Sequence, residues 1–273
     1  MSPTAPKSRK VQSVLVEGRR IAYERAGEGP PVVLLHGGFG LDRRSWRWQL
    51  EGLSDEFMVV AWDAPGCGHS SDPPDTFRSH DYADCLAAFI DALDLGHPHV
   101  CGLSFGGVLA LELYHQHPTV PRSLVLAGAY AGWAGSLPAD VVQQRLTRIR
   151  REVELPPEQW VRGYVPGFFT KGAPPELIEE IVAMMCELHP AGLRTFMNAL
   201  GEADLRDVLP LIDVLTLLLY GDADERAPLT IAEDFHNQIS GSNLVVMPGV
   251  AHVSSAEFPE QFNAEVRSFL RSL

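Results

Sequence analysis

The stretch Val100–Gly107 has the sequence VCGLSFGG, in which Ser104 lies between two glycines in the pattern Gly-x-Ser-x-Gly. A serine hydroxyl is a poor nucleophile unless it is held exposed beside a base. A sharp turn from a strand into a helix holds it in this way, and the backbones then come so close together that only glycine fits on either side. Because so short a motif also arises by chance, the rest of the chain has to supply its structural context.

The segments around Ser104 have that context. Residues 99–102 form a short apolar run that predicts a buried strand, and residues 104–115 have the pattern of a helix. Further strands are predicted at 11–16, 20–25, 32–35, 57–62, 123–127, 214–220 and 243–247, and further core helices at 45–53, 81–95, 229–238 and 259–270. Strands that alternate with helices at this spacing indicate an α/β fold with a mostly parallel sheet covered on both faces.

The alternation stops between residues 132 and 208, where helical patterns occur without a convincing strand. Helices are predicted there at 139–151, 157–161, 176–188 and 192–200. An insertion of this length is too long for a plain connection between two strands, so we interpret it as a lid over the carboxyl edge of the sheet. The predicted organisation is a core made of residues 1–131 and 209–273, with a helical cap at 132–208 between them.

Composition and charge exclude several classes of partner. The net charge of −13 argues against binding to nucleic acid or to an anionic membrane surface, since both need a basic face. The four cysteines have no C-x-x-C spacing and the histidines have no ligand spacing, so we predict no metal site and no cofactor. Reduced thiols, a polar segment at residues 1–10 and the lack of an apolar run long enough to span a bilayer favour a cytoplasmic protein. The expected partner is a small-molecule substrate, and a homodimer is left open.

An acid and a base for Ser104 are available at the ends of two later strands. Asp222 and Asp224 follow the strand at 214–220, and His252 follows the strand at 243–247. The carboxyl ends of parallel strands meet at one edge of an open α/β sheet, where such sheets place their sites. From the residues alone, both Asp222 and Asp224 remain candidates for the acid that orients His252.

The chain resembles the α/β-hydrolase fold superfamily, in the large group that has a helical cap. Five motifs match in order: the His36-Gly37-Gly38 turn, residues 63–70, the serine turn, residues 221–228 and the His252 loop. The resemblance implies a mostly parallel, doubly wound, eight-stranded sheet with the cap inserted after the sixth strand. Within the superfamily, the sequence looks most like small carboxylesterases and enol-lactone hydrolases.

The resemblance also implies roles for individual residues. It makes Ser104 the nucleophile, His252 the general base and then the general acid, and Asp224 the group that fixes the imidazole, in preference to Asp222. It places an oxyanion hole at the backbone N–H groups of Gly38 and Phe105. His36 and Asp63 are expected to hold their loops in place.

The predicted substrate pocket consists of apolar and cationic side chains, most of them in the cap. The candidates are Phe39, Trp133, Phe168, Met184, Arg194, Phe196 and Met197, with Phe169, Met185 and His189 as further members. The alternative for each apolar candidate is that it only packs the cap's own helices. The alternative for Arg194 is that its side chain is solvated and binds no substrate. The basic cluster at 145–151 is interpreted as a solvated helix face.

Three functions follow from these expectations. The first is a carboxylic ester hydrolase that cleaves a small apolar ester or lactone through an acyl-enzyme. The second is hydrolysis of a carbon–carbon bond in an aromatic meta-cleavage product, for which Arg194 would clamp a carboxylate. The third is a ligand-sensing module on the hydrolase fold.

Overall fold

An eight-stranded sheet forms the centre of the computed structural model, which describes residues 10–273. Its strands are β1 (Gln12–Val16), β2 (Arg19–Ala26), β3 (Pro31–Leu35), β4 (Met58–Trp62), β5 (His99–Leu103), β6 (Ser123–Ala127), β7 (Thr216–Gly221) and β8 (Asn243–Met247). They lie in the order β1-β2-β4-β3-β5-β6-β7-β8. The pairs β1/β2 and β2/β4 are antiparallel and the other five pairs are parallel. The predicted fold class is confirmed. The polar segment at residues 1–10, which contributed to the predicted location, lies largely outside the described residues.

Helices cover both faces of this sheet, and every residue of β5, β6 and β7 is buried. The helices are α1 (Arg47–Gly52), α2 (Ser79–Ala92), α3 (Phe105–Gln116), α4 (Trp133–Ser136), α5 (Ala139–Glu152), α6 (Pro175–Cys186), α7 (Pro190–Glu202), α8 (Leu229–Gln238), α9 (Ser254–Glu257) and α10 (Pro259–Arg271). Burial on both faces explains why these central strands are continuous apolar runs rather than alternating ones. Within residues 10–273, no helix is both long enough and apolar enough to cross a membrane.

The connection from β6 to β7 is helical. It contains α4 to α7 and three 3-10 helices, and the described residues between the two strands include no strand. We call residues 132–208 the helical insertion. It contacts the core beside the carboxyl ends of the strands: the N–H of Val253 donates to the carbonyl of Phe168 at 3.0 Å, and the N–H of Thr170 donates to the Glu257 carboxylate at 3.1 Å.

The sequence patterns missed the shortest helices. One-turn helices at Trp133–Ser136 and Ser254–Glu257 are too short to show an apolar period. The predicted helix at 157–161 is instead a pair of 3-10 helices, Pro157–Gln159 and Val161–Gly167, the second of which contains Pro166. Proline has no N–H to donate to an α-helical ladder, which accounts for the tighter, shorter turns.

Glycines permit very close contacts between backbone segments around Ser104. A Cβ at Gly106, in the first turn of α3, would collide with the backbone carbonyl of Leu35 in β3. A Cβ at Gly102 in β5 would likewise collide with the backbone of Gly106. Because these contacts are with backbone atoms and not with the tip of a flexible side chain, no small rotation relieves them. The turn that carries Ser104 therefore depends on both glycines.

Gly106→Ala should destabilise the protein by about 3 kcal/mol, at the upper end for overpacking, because backbone must shift against backbone. Gly172→Ala is the matched control, since its Cβ would meet only the Thr170 hydroxyl at 3.8 Å. The control should change the free energy of unfolding by less than about 0.5 kcal/mol. Urea denaturation followed by circular dichroism measures both, and equal stabilities for the two variants would contradict the proposed crowding.

Candidate active site

Ser104 occupies a strained turn between β5 and α3. Its φ of 54° and ψ of −111° lie in a region that side-chain-bearing residues rarely adopt. The backbone N–H of Ser104 donates to the carbonyl of Ala127 at 2.8 Å, which fixes the turn against β6. Ser104 is partly exposed, whereas every other residue from Val100 to Gly107 is buried. The strain therefore presents one hydroxyl at the carboxyl edge of the sheet.

His252 and Asp224 form a buried hydrogen-bonded pair at the same edge. The distance from His252 Nδ1 to Asp224 Oδ2 is 2.7 Å, and both side chains are almost fully buried. A carboxylate only accepts, so Nδ1 carries the proton that is donated. This tautomer leaves Nε2 of the imidazole as an acceptor, the arrangement that a general base requires.

The loop after β7 distinguishes its two aspartates. The second carboxylate oxygen of Asp224, Oδ1, accepts from the backbone N–H groups of Arg226 at 2.8 Å and Ala227 at 2.9 Å. Asp222 is exposed, and its carboxylate accepts from the N–H of Gly249 at 2.6 Å. The structure therefore places Asp224 against the imidazole, while Asp222 links two surface loops.

Ser104 and His252 line one small cavity beneath the helical insertion. Its volume is about 10 Å³, and its walls are formed by Gly37, Gly38, Phe39, Leu41, Leu103, Ser104, Phe168, His252 and Val253. A space of this size holds about one water molecule. Ligand pockets for small molecules typically measure about 300–1,000 Å³, so the cavity is closed to an ester as it stands.

Two backbone donors adjoin the serine. Gly38 lines the cavity, and Phe105 is the first residue of α3, directly after Ser104. Within residues 10–273, the N–H groups of Gly38 and Phe105 have no hydrogen-bond acceptor. Unused N–H donors, one of them at the N-terminus of α3, favour a developing negative charge on a bound molecule.

The loops beneath the cavity are held by two buried polar residues. Nδ1 of His36 donates to the carbonyl of Gly37 at 2.7 Å, and Nε2 accepts from the N–H of Ala64 at 3.0 Å. Burial lowers the pKa of His36, consistent with a neutral imidazole that bridges two loops. Asp63 accepts from the Arg43 guanidinium at 2.6 Å and from the N–H of His69 at 2.8 Å. Both residues hold loops, as expected from the sequence.

The predicted pocket residues divide into three groups. Phe39 and Phe168 line the Ser104 cavity, and Met197 touches Gly38 in its wall. Phe196 and Met184 line a neighbouring cavity of about 10 Å³ between the insertion and the core, together with the predicted His189. Phe169, Met185 and Trp133 are buried but line neither cavity.

Arg194 lines neither the Ser104 cavity nor the neighbouring one. It is exposed on α7, where its guanidinium pairs with Glu154 at 3.1 Å. The predicted solvated role therefore describes its position better than the predicted carboxylate clamp.

Sequence reasoning missed Arg226 and was wrong about Arg145, which it placed on a solvated helix face. The Arg226 guanidinium lies 4.8 Å from the ring centre of Phe39 and 4.9 Å from that of Phe168, the two aromatic walls of the Ser104 cavity. Arg145 lies on α5, 5.3 Å from the ring centre of Trp133, and one of its guanidinium nitrogens is buried. The available signal was the place of Arg226 two residues after the candidate acid. No local pattern separates Arg145 from the neighbouring exposed arginines.

Known proteins match this chain over most of its length. The sequence profile described as the Alpha/beta hydrolase family matches residues 32–265. Serine hydrolase BPHL of Mus musculus is 30% identical over 94% of this chain and 85% of its own length. 3-oxoadipate enol-lactonase 2 of Acinetobacter baylyi is 24% identical over 88% of this chain and 89% of its own length. The solved structure of a thermophilic esterase from Thermogutta terrifontis has a TM-score of 0.83 and 29% identity, covering 97% of this chain and 99% of that one.

The strain at Ser104 is measurable without any substrate. Ser104→Gly removes the hydroxyl and tolerates the positive φ, whereas Ser104→Ala removes the hydroxyl and keeps the Cβ in the strained turn. The glycine variant should therefore be more stable than the alanine variant by about 1 kcal/mol. Urea denaturation compares the two, and an alanine variant as stable as the glycine variant would show that the turn stores no strain.

Proposed function

The chain belongs to the alpha/beta hydrolase family, and on this premise we propose that it is a serine hydrolase that cleaves a small carboxylic ester or lactone through an acyl-enzyme. The observation that carries the proposal is the strained, partly exposed Ser104, which shares a cavity with a histidine hydrogen-bonded to Asp224. The hydrolases, esterases and lactonases among its relatives support the same class of reaction.

In the first half-reaction Ser104 Oγ attacks the carbonyl carbon of the substrate, and its proton passes to Nε2 of His252. Asp224 stabilises the resulting imidazolium through the 2.7 Å hydrogen bond to Nδ1. The N–H groups of Gly38 and Phe105 would receive the oxyanion of the tetrahedral intermediate. When the intermediate collapses, the bond to the alcohol oxygen breaks, and that oxygen takes the proton from Nε2.

In the second half-reaction water attacks the acyl carbon and gives a proton to Nε2. The bond to Ser104 Oγ then breaks, Oγ recovers the proton, and the carboxylic acid leaves. A lactone follows the same course, except that its alcohol stays attached to the acid as a hydroxyl group. No cofactor is needed for either step.

In this proposal, the helical insertion controls the access of the substrate to Ser104. The insertion supplies Phe168 to the cavity wall and Met197 beside Gly38. Since the cavity holds about one water molecule, a substrate has to displace some of these side chains to reach Ser104. We therefore propose that residues 132–208 act as a lid, with the core formed by the residues before and after it.

The other two functions have less support. For carbon–carbon hydrolysis, the residue expected to clamp the carboxylate was Arg194, which instead pairs with Glu154 at the surface, so Arg194 no longer favours that reaction over ester cleavage. A protein that only senses a ligand does not need the N–H groups of Gly38 and Phe105 to stabilise the negative charge that develops during ester cleavage. Turnover of simple esters at enzyme-like rates, without a partner protein, is the result that would exclude sensing.

Asp224→Asn should lower kcat for p-nitrophenyl butyrate by about 10⁴-fold, because an amide can favour the wrong tautomer of His252. Asp222→Asn is the matched control: it is in the same loop but bonds Gly249 and not the histidine, so its kcat should change by less than about 3-fold. Ser104→Ala should lose both the burst of p-nitrophenol and labelling by a serine-reactive phosphonate. Wild-type activity in Ser104→Ala would refute the proposed nucleophile.

Phe168→Ala should favour longer acyl chains, because it removes an aromatic wall of the Ser104 cavity. The ratio of kcat/KM for p-nitrophenyl hexanoate to that for the acetate should rise about 10-fold, as expected when a pocket gains room for a few methylene groups. Phe169→Ala is the control, since this neighbouring buried ring does not line the cavity. The same rise in both variants would indicate general loosening of the insertion.

A further inference from the structure

Most arginines of this acidic chain are either exposed or paired with a carboxylate. Examples are Arg43 with Asp63, Arg44 with Asp42 and Arg47 with Glu180. Among residues 10–273, Arg145 and Arg226 are the two arginines that are neither exposed nor within ion-pair distance of a carboxylate. In a chain of net charge −13, two partly buried guanidinium groups without a counter-ion require an explanation.

Arg226 is positioned by the same loop that holds the candidate acid. Its N–H donates to Asp224 Oδ1 at 2.8 Å, and its carbonyl accepts from the hydroxyl of Tyr130. The side chain extends from this anchored backbone over the faces of Phe39, Phe168 and, at 5.6 Å, Tyr164. Ring faces attract the cation but offer no hydrogen-bond acceptors of carboxylate strength. The guanidinium therefore keeps its hydrogen-bonding capacity while it lies against two of the rings that line the Ser104 cavity.

Arg145 approaches the same place from the helical insertion. One of its terminal nitrogens, Nη1, is buried and has no hydrogen-bond partner among the described residues. Burial raises the pKa of Tyr130, and this rise is opposed by the charges of Arg145 and Arg226 and by a hydrogen bond from the Arg145 side chain to the Tyr130 hydroxyl. The same hydroxyl donates to the backbone carbonyl of Arg226. The ring of Tyr130 in turn lies 6.4 Å from that of His252. Arg145 and Arg226 thus converge beside the candidate active site.

The positive charges of Arg145 and Arg226 repel each other. Burial lowers the pKa of Arg226 and repulsion from Arg145 lowers it further, whereas Tyr130, Tyr164 and the Asp224 carboxylate oppose the decrease only in part. An unmatched pair of cations in a partly dry site is costly, and a bound anion between them would turn repulsion into attraction. A carboxylate suits this position because a guanidinium offers it two parallel N–H donors.

We propose that Arg145 and Arg226 form an anion subsite beside Ser104, and that the substrate is an ester or lactone that also carries a carboxylate. This inference rests on the proposed function for the reaction that the substrate undergoes. The binding of a carboxylate at the subsite does not depend on that reaction. The competing explanation is that both arginines only pack against aromatic rings, Arg226 on Phe39 and Phe168 and Arg145 on Trp133.

A pair of esters of equal chain length tests the subsite. Mono-p-nitrophenyl adipate has a free carboxylate at the end of a six-carbon acyl chain, and p-nitrophenyl hexanoate has a methyl group there. The measured quantity is the ratio of kcat/KM for the adipate to that for the hexanoate, after subtraction of the enzyme-free rate. A variant that merely loosens the site lowers both rates and leaves the ratio unchanged.

Arg226→Met and Arg145→Met should each lower this ratio by about 10–100-fold, mainly through KM, as for loss of a hydrogen-bonded charge. Arg226→Lys should recover part of the loss, because it keeps the charge without the planar pair of donors. Arg150→Met is the matched control, since this arginine on α5 is exposed and should leave the ratio at the wild-type value. An unchanged ratio in both Arg226→Met and Arg145→Met would overturn the subsite.

A binding experiment separates this inference from the proposed hydrolysis. Calorimetric titration of Ser104→Ala with mono-p-nitrophenyl adipate should give a Kd that rises about 10-fold or more when Arg226→Met is added. Weaker binding in the double variant supports the subsite even if the wild type hydrolyses neither ester, a result that would refute only the proposed function. Equal binding with and without Arg226 would refute the subsite even if both esters are hydrolysed.

Discussion

The close approach of α3 to β5 and β3 is the constraint on which the candidate site depends. Gly102 and Gly106 allow backbone to lie on backbone, and between them Ser104 is forced to a φ of 54°. The hydroxyl is consequently presented between a fully buried strand and a largely buried helix, at the edge where the loops after β3, β7 and β8 also begin. A serine in a relaxed turn would gain stability and lose this fixed direction.

The loop after β7 connects the chemistry to recognition. The two oxygens of the Asp224 carboxylate face different ways: Oδ2 accepts from His252, while Oδ1 holds the backbone of Arg226. One carboxylate therefore orients the imidazole and fixes the starting point of the side chain that covers Phe39 and Phe168. A disturbance at Asp224 reaches both functions at once, which is why the arginine itself is the better probe of recognition.

The sequence predicted the sheet well because each strand has a local signature. Buried strands such as residues 123–127 are continuous apolar runs, and the residues that follow β5, β7 and β8 come together because parallel strands share a carboxyl edge. The pocket was predicted less well because it depends on how the insertion packs onto the core. Arg194 is surrounded by apolar and neutral residues and Arg145 begins a cluster of arginines, yet tertiary packing places Arg194 at the surface and leaves Arg145 with a buried nitrogen.

The charge of the whole chain and the charge of the site have opposite signs. A net charge of −13 repels an anionic substrate at long range, whereas Arg145 and Arg226 attract it only over the last few ångströms. Salt screens the long-range repulsion between exposed charges more than the short-range attraction of partly buried ones. Selection for a carboxylate would therefore occur after the molecule has reached the mouth of the site, where the aromatic rings that hold Arg226 also close the cavity over Ser104. Recognition of the charge and opening of the cavity would then involve the same two rings, those of Phe39 and Phe168.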